Sequence, residues 1–273
     1  MDIDLATAQA VVFDFDGLLA DTEPSWERAE RHVWESLGGR WTADVREATY
    51  GASLADAAAA LARGTGHPEA AARVADRLLR AFEDDVAIHG VPLLPGAEAL
   101  VRDLHGRVPL GVASNSPPGL LRRMLTRTAL RDAFDTVVGA EAPLRPKPAP
   151  DVYLAACAEL NAAAPLSYAF EDSPSGIAAA RTAGLRVIGI GPRARGEAGC
   201  RTARALTEVR RRPRDASAEP APAPHRGSRP LNSEEEPELP SPNPEEEGDN
   251  RVRDPAQCRG PDAGGRSARR AYR

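Results

Sequence analysis

Five short apolar runs govern what this chain can fold into: Ala10–Phe15, Val108–Ser114, Phe134–Gly139, Tyr168–Asp172 and Arg186–Ile190. Helical patterns separate the last four. "PGAEALVRDLHG" precedes the second run, "PPGLLRRMLTRTAL" follows it, and "APDVYLAACAELN" and "SPSGIAAARTAGL" flank the fourth. Parallel strands need long crossovers and bury both faces, so this alternation implies a parallel sheet covered by helices. The expected class is α/β.

The interval between the first two runs breaks the pattern. Pro24 to His89 reads as helix after helix, "PSWERAERHVWESLGG", "LADAAAALARGTG" and "HPEAAARVADRLLRAFEDDVAIHG", which is too much for one crossover. An inserted helical domain is expected there. Gly38-Gly39 and Gly64-Thr65-Gly66 punctuate its helices, and Pro92 with Pro95-Gly96 returns the chain to the sheet. Hydrophobic residues make up 42% of the chain, an average that hides a split. Beyond Val209 the sequence has almost no aliphatic side chains and cannot offset its chain entropy by burial. The expected organisation is a core from residues 1–17 and 92–209, a helical insert at 18–91, and a disordered tail at 210–273.

A formal net charge of −5 argues against a nucleic-acid-binding core. Arg210 to Arg212, Glu234 to Glu236 and Glu245 to Glu247 form charge blocks that read as a solvated tail. Cys157, Cys200 and Cys258 show neither metal-like spacing nor a paired framework, which fits a reducing cytoplasm. The acidic start does not read as a signal peptide, and no stretch approaches a membrane span.

Ligands of open parallel sheets bind beyond the carboxyl ends of the strands, so the residues at the strand ends are where chemistry is expected. The first run ends Asp14-Phe15-Asp16-Gly17. Residues two apart in a strand share a side, and two carboxylates in contact repel by on the order of 4 kcal/mol. A turn with both acids solvated is one reading; a buried Asp14 in need of a partner is the other. The second run ends Ser114-Asn115, where Ser116-Pro117 suits an N-cap, although the same geometry would aim a hydroxyl and free N–H groups at an anion. Lys147 in "LRPKPAP" is the only lysine of an arginine-rich chain, as a compact ammonium beside phosphate and carboxylate would require. Glu171 and Asp172 close the fourth run, and Asp172 or Ser173 could cap the next helix. Taken together, oxygen ligands from Asp14, Asp16 and Asp172 suit magnesium rather than zinc. Lys147 and the helix amides would hold a phosphoryl group against it.

The residues "FDFDGLLADTEP", Ser114, Lys147 and "EDSPSGIAAARTAGL", in this order from Val11 to Ile190, resemble the four motifs of the haloacid dehalogenase superfamily. The resemblance implies a Rossmann-like core with a small helical cap inserted after the first motif. "DGLLADTEPSWERAERHVWESLGG" and "PLLPGAEAL" look most like its sugar-phosphate phosphatases. It further implies that Asp14 attacks phosphorus to form an aspartyl-phosphate, and that Asp16 protonates the leaving alcohol and then activates water. Ser114 and Lys147 would bind phosphoryl oxygens, with Asn115 contributing backbone. Asp14, the main-chain carbonyl of Asp16, and Asp172 would ligate Mg2+, with Glu171 acting directly or through water. The partner would be a small-molecule phosphate ester.

The β-phosphoglucomutase branch shares "KPAPD", but it has histidine where this chain has Trp26 and a cap-loop arginine where it has Leu54. Both departures weaken a hold on a second phosphate. Tyr50, Ser53 and Trp26 are the candidates for substrate contact in the insert. A receiver-type signalling domain uses a similar inventory but carries no large insert, and an interaction module working through the tail would not need these acids. "GIGPRARGEAGCRTARALTEV" is short and arginine-rich where a last strand and helix are expected.

Overall fold

The computed structural model describes residues 2–3, 8–66 and 70–211. Strand β1 (Asp2–Ile3) precedes β2 (Val11–Phe13), and four helices follow: α1 (Glu23–Ser36), α2 (Ala43–Thr49), α3 (Leu54–Gly64) and α4 (Ala71–His89). The chain then alternates through α5 (Ala97–Leu104), β3 (Leu110–Ser114), α6 (Pro118–Leu125), β4 (Thr136–Gly139), α7 (Asp151–Glu159) and β5 (Tyr168–Glu171). It ends with α8 (Pro174–Thr182), β6 (Arg186–Ile190), β7 (Arg201–Ala203) and β8 (Arg210–Arg211).

Among the described residues, six strands form one parallel sheet in the order β4-β3-β2-β5-β6-β7. The α/β class expected from the alternating runs is the one that forms. From β2 the chain winds out through β3 and β4, then returns to the other side of β2 with β5. That reversal opens a crevice at the carboxyl end of β2. Side-chain alternation along β2 feeds both faces. Val11 and Phe13 pack with Leu100, Leu104, Leu121 and Met124 of α5 and α6. Val12 packs on the opposite face with Val152, Ala156, Ile177 and Ala180 of α7 and α8. Phe13 stacks on Phe170 at 5.0 Å between ring centroids and meets Phe134 edge-on at 6.1 Å. Such aromatic pairs add roughly 0.5–1.5 kcal/mol each beyond burial.

The inserted helices have their own apolar centre, built from Val33 and Trp34 of α1, Ala58 and Leu61 of α3, and Val74 and Leu78 of α4. The chain leaves and returns to the core side by side: Asp21 N–H donates to Pro92 O at 2.8 Å, and Leu94 N–H to Leu19 O at 2.9 Å. Trp26 stacks on Phe82 at 3.9 Å where the insert meets the core cluster.

Four differences from the sequence expectations stand out. The first strand is shorter than Ala10–Phe15, since it stops at Phe13 and Asp14 begins the loop. Helix α2 was not anticipated. The final strand does form as β7, at the sheet edge with two of its three residues exposed, but a 3-10 turn at Leu206–Glu208 stands where a helix was expected. Arg210–Arg211, counted with the tail in the sequence, pair in parallel with β1. The rest of the expected disordered tail, residues 212–273, lies outside the described residues, as does Cys258. No helix among the described residues is long and apolar enough to cross a membrane.

Candidate active site

Lys147 is the hub of the site. Its Nζ donates to Asp14 Oδ1 at 2.7 Å and to Glu171 Oε1 at 2.5 Å, and all three side chains are buried. Asp14 is carried by the end of β2 and pinned by its N–H to Phe170 O at 3.0 Å; Glu171 ends β5. Tyr153 of α7 donates its hydroxyl to the same Glu171 Oε1 at 2.7 Å, and the ammonium lies 5.0 Å from the Tyr153 ring centroid. Glu171 Oε2 accepts from the Ser173 hydroxyl at 3.1 Å and the Ser173 N–H at 3.3 Å. Gly176 permits this packing, because a Cβ there would sit 1.8 Å from Glu171 Oε1. Ser173 also caps α8 by accepting from Gly176 N–H at 3.1 Å, as the sequence suggested.

Charge balance in this cluster leaves room for a cation. Burial pushes the Asp14 carboxyl up to about 8, with Glu171 and Asp16 adding to the rise and Lys147 opposing it. Burial, then Asp14 and Glu171, holds Asp172 well above the usual carboxylate range. Burial pulls the Lys147 ammonium down, but Asp14 and Glu171 outweigh it and hold it above its ordinary value. Two buried acids, Asp14 and Glu171, share one ammonium, and the half-buried Asp172 stands beside them with no cation of its own among the described residues. Asp172 Oδ1 is buried without a hydrogen-bond partner, an arrangement that costs free energy unless something positive meets it. Oxygens of Asp14, Glu171 and Asp172 lie within 4.8 Å of one another. A hard divalent cation fits this donor set. Gly17, at φ +82°, lets the loop pass so close to Asp172 that a Cβ would lie 2.8 Å from Oδ2.

Asp16 is not a member of that group, because its carboxylate has partners of its own. Oδ1 accepts from the Thr22 hydroxyl at 2.6 Å and the Trp26 indole N–H at 3.4 Å. Oδ2 accepts from the hydroxyls of Ser116 at 2.8 Å and Ser114 at 3.0 Å. The expected cap at Ser116 does not form: Pro117 occupies the cap position of α6 with no side-chain bond, and the Ser116 hydroxyl serves Asp16. Asn115 Oδ1 accepts from Lys147 N–H at 2.7 Å, and its Nδ2 donates to Lys147 O and Gly51 O at 3.4 Å. Asn115 thus ties the lysine loop to the strand end and reaches the insert.

A cavity lies over these groups, with Asp14, Asp16, Ser114, Asn115, Lys147 and Asp172 on its core side. Trp26 and Tyr50, singled out from the sequence, line its other wall, whereas Ser53 caps α3 by accepting from Asp56 N–H at 3.1 Å. Glu30 belongs to that wall, is buried, and accepts from the Thr49 hydroxyl at 2.6 Å. Burial pushes Glu30 up to about 7 from an ordinary 4.5. The folded protein then holds this proton while the unfolded chain has lost it, so stability falls as pH rises from about 4.5 to about 7. Glu30→Gln keeps an acceptor for Thr49 and is expected to raise the melting temperature at pH 8. The gain is on the order of 3 kcal/mol at most, and none is expected at pH 4. Equal melting of the two proteins at pH 8 would contradict it.

Sequence reasoning missed Tyr153, Ser116, Thr22 and the glutamates of α1. The sequence profile of the Haloacid dehalogenase-like hydrolase family matches residues 11–190. Hexitol phosphatase B of Escherichia coli (strain K12) is 37% identical over 191 residues, spanning 66% of this chain and 82% of that protein. Fructose-1-phosphate phosphatase YqaB of the same strain is 31% identical over 183 residues, spanning 66% and 95%. The crystal structure of CbbY from Rhodobacter sphaeroides in complex with phosphate superposes with a TM-score of 0.64 at 27% identity, covering 74% of this chain and 96% of that one. The chain belongs to the haloacid dehalogenase-like hydrolase family.

Proposed function

We propose that this enzyme is a magnesium-dependent phosphatase that hydrolyses a small sugar phosphate through an aspartyl-phosphate on Asp14. The observation that carries the reading is the bare, buried Asp172 Oδ1 beside the Asp14–Lys147–Glu171 cluster. The two relatives named above as phosphatases of a hexitol and of fructose 1-phosphate support the sugar ester. In this reading residues 18–91 are the cap and residues 1–17 with 92–209 the catalytic core.

Asp14 and Asp172 would hold Mg2+ with the main-chain carbonyl of Asp16. Glu171 would act from behind or through water, since its oxygens already accept four hydrogen bonds. When bound, the ion supplies charge that keeps Asp14 ionised and offsets the phosphoryl oxygens. A carboxylate oxygen of Asp14 attacks phosphorus, and the bond to the leaving alcohol breaks. Asp16 gives its proton to that alcohol oxygen, then takes one from the water that attacks the aspartyl-phosphate, releasing inorganic phosphate and restoring Asp14. Ser114, Lys147 and the Asn115 backbone hold the phosphoryl oxygens. The Ser114 hydroxyl, which donates to Asp16 here, would turn to the phosphoryl group.

Hydrolysis is preferred to a mutase reaction because Trp26 and Leu54, both in the cavity wall, offer no anchor for a second phosphate. A receiver or interaction role would not call for the separate proton-carrying Asp16. Cys157 and Cys200 are free, in keeping with a cytoplasmic enzyme. The test is phosphate release from a panel of sugar phosphates, polyol phosphates, phosphoglycolate and nucleotides. Release is expected with magnesium and lost on addition of EDTA; turnover that survives EDTA would overturn the metal assignment.

A further inference from the structure

The far wall of the cavity carries an unusual charge. Helix α1 presents Glu23, Glu27 and Glu30 to it, spaced i, i+4, i+7 and therefore on one face. Arg46, Thr49 and Tyr50 of the α2 segment complete this wall. Two cations line the cavity. Lys147 is committed to Asp14 and Glu171 at the phosphoryl end, and Arg46 to Glu27, with Nε 3.0 Å from Oε2. Arg193 lies against Tyr50, 3.4 Å from the ring centroid, and is not part of the lining. The part of the cavity facing a leaving group is thus rich in hydrogen-bond acceptors, holds hydroxyls, and has no uncommitted positive charge.

Resting on the phosphatase reading, we infer that Glu23, Glu27 and Glu30 make the insert a charge filter. It admits an uncharged, hydroxyl-bearing leaving group and refuses one that carries a second anion. Hydroxyls of a sugar or polyol can donate to carboxylates here, and charge-assisted hydrogen bonds are the stronger kind. Burial pushes both Glu23 and Glu30 up to about 7, so above that pH a carboxylate or second phosphate would meet three glutamate charges, with Arg46 paired to Glu27 and Arg193 offsetting part of Glu23. Like-charge contact of this sort lowers affinity by about tenfold or more. This makes the preference for hydrolysis over phosphosugar mutation a property of the wall: a mutase intermediate must carry two phosphates.

The experiment is a series of rising charge with ring and open-chain members: glucose 6-phosphate, its acyclic counterpart glucitol 6-phosphate, 6-phosphogluconate and glucose 1,6-bisphosphate. At pH 8, where Glu23 and Glu30 are ionised, turnover is measured with magnesium in the wild type, and binding by calorimetry in Asp14→Asn. The expected result is a kcat/KM and an affinity for the two anionic compounds about tenfold or more below those of glucose 6-phosphate. A Glu23→Gln/Glu30→Gln double variant narrows that ratio. Equal or better use of the anionic compounds would overturn the filter, as would a ratio unmoved in the double variant. The outcomes separate cleanly from the parent reading. Absence of turnover for every ester would remove the phosphatase assignment, while the binding order in Asp14→Asn would still decide the filter.

Discussion

Asp14→Asn is expected to lower kcat by about 10⁴-fold or more while the melting temperature at neutral pH holds or rises. Loss of a covalent nucleophile costs about 10⁶-fold where it has been dissected, and an amide cannot supply one. The fold has no comparable stake in the charge. Burial pushes this carboxyl up even against the pull of Lys147, so its charge is costly to the fold. Asparagine keeps an oxygen where Asp14 Oδ1 accepts from Lys147 at 2.7 Å. Activity and thermal melting measured on the same sample check both halves. A variant that keeps more than about a tenth of wild-type kcat would remove Asp14 from the chemistry; one that unfolds would make it a structural residue.

Lys147→Met has the second-largest expected effect, and here activity and stability fall together. The ammonium sits between Asp14 and Glu171, and with all three side chains buried no water replaces it. Removing one partner of a buried ion pair costs roughly 3–5 kcal/mol. The same substitution takes away a charge aimed at the phosphoryl oxygens, worth about 10²- to 10³-fold in kcat. Lys147→Arg is not expected to rescue. The space between Asp14 at 2.7 Å and Glu171 at 2.5 Å, under the Tyr153 ring at 5.0 Å, suits a compact ammonium and not a planar fork. Full activity in Lys147→Arg would show that only charge matters there.

The parallel sheet was legible because burying both faces of a strand leaves an apolar run, as in "AVVF" and "YAFE". Asp14, Glu171 and Asp172 were legible because acids stand at the ends of such runs, and Lys147 because it is the only lysine of an arginine-rich chain. What escaped notice depended on partners distant in sequence. Helix α2 is short and polar, with no apolar stripe to announce it. It is capped at Thr42, whose side chain accepts from Val45 N–H, and tied down by the Thr49 hydroxyl on Glu30. Ser116 carries every local sign of a helix cap, yet Asp16, a hundred positions away, takes its hydroxyl. Tyr153 sits in an ordinary apolar helix face, and only the fold brings its hydroxyl to Glu171. Strand β7 is three residues long with Arg201 and Thr202 exposed at the sheet edge, which hides it from a search for apolar runs.

Two carboxylates two residues apart have separate partners in this protein. Asp14 faces the ammonium and the bare oxygen of Asp172, whereas Asp16 rests among hydroxyls and an indole N–H. That division assigns nucleophile and proton carrier, and it can be read directly. The enzyme is mixed with magnesium and an excess of sugar phosphate, quenched in acid within one turnover, digested, and its peptides weighed. The account predicts a phosphoryl adduct on the peptide bearing Asp14, lost in Asp14→Asn and longer-lived in Asp16→Asn. Rapid phosphate release with no adduct at any quench time, or an adduct on another residue, would contradict it.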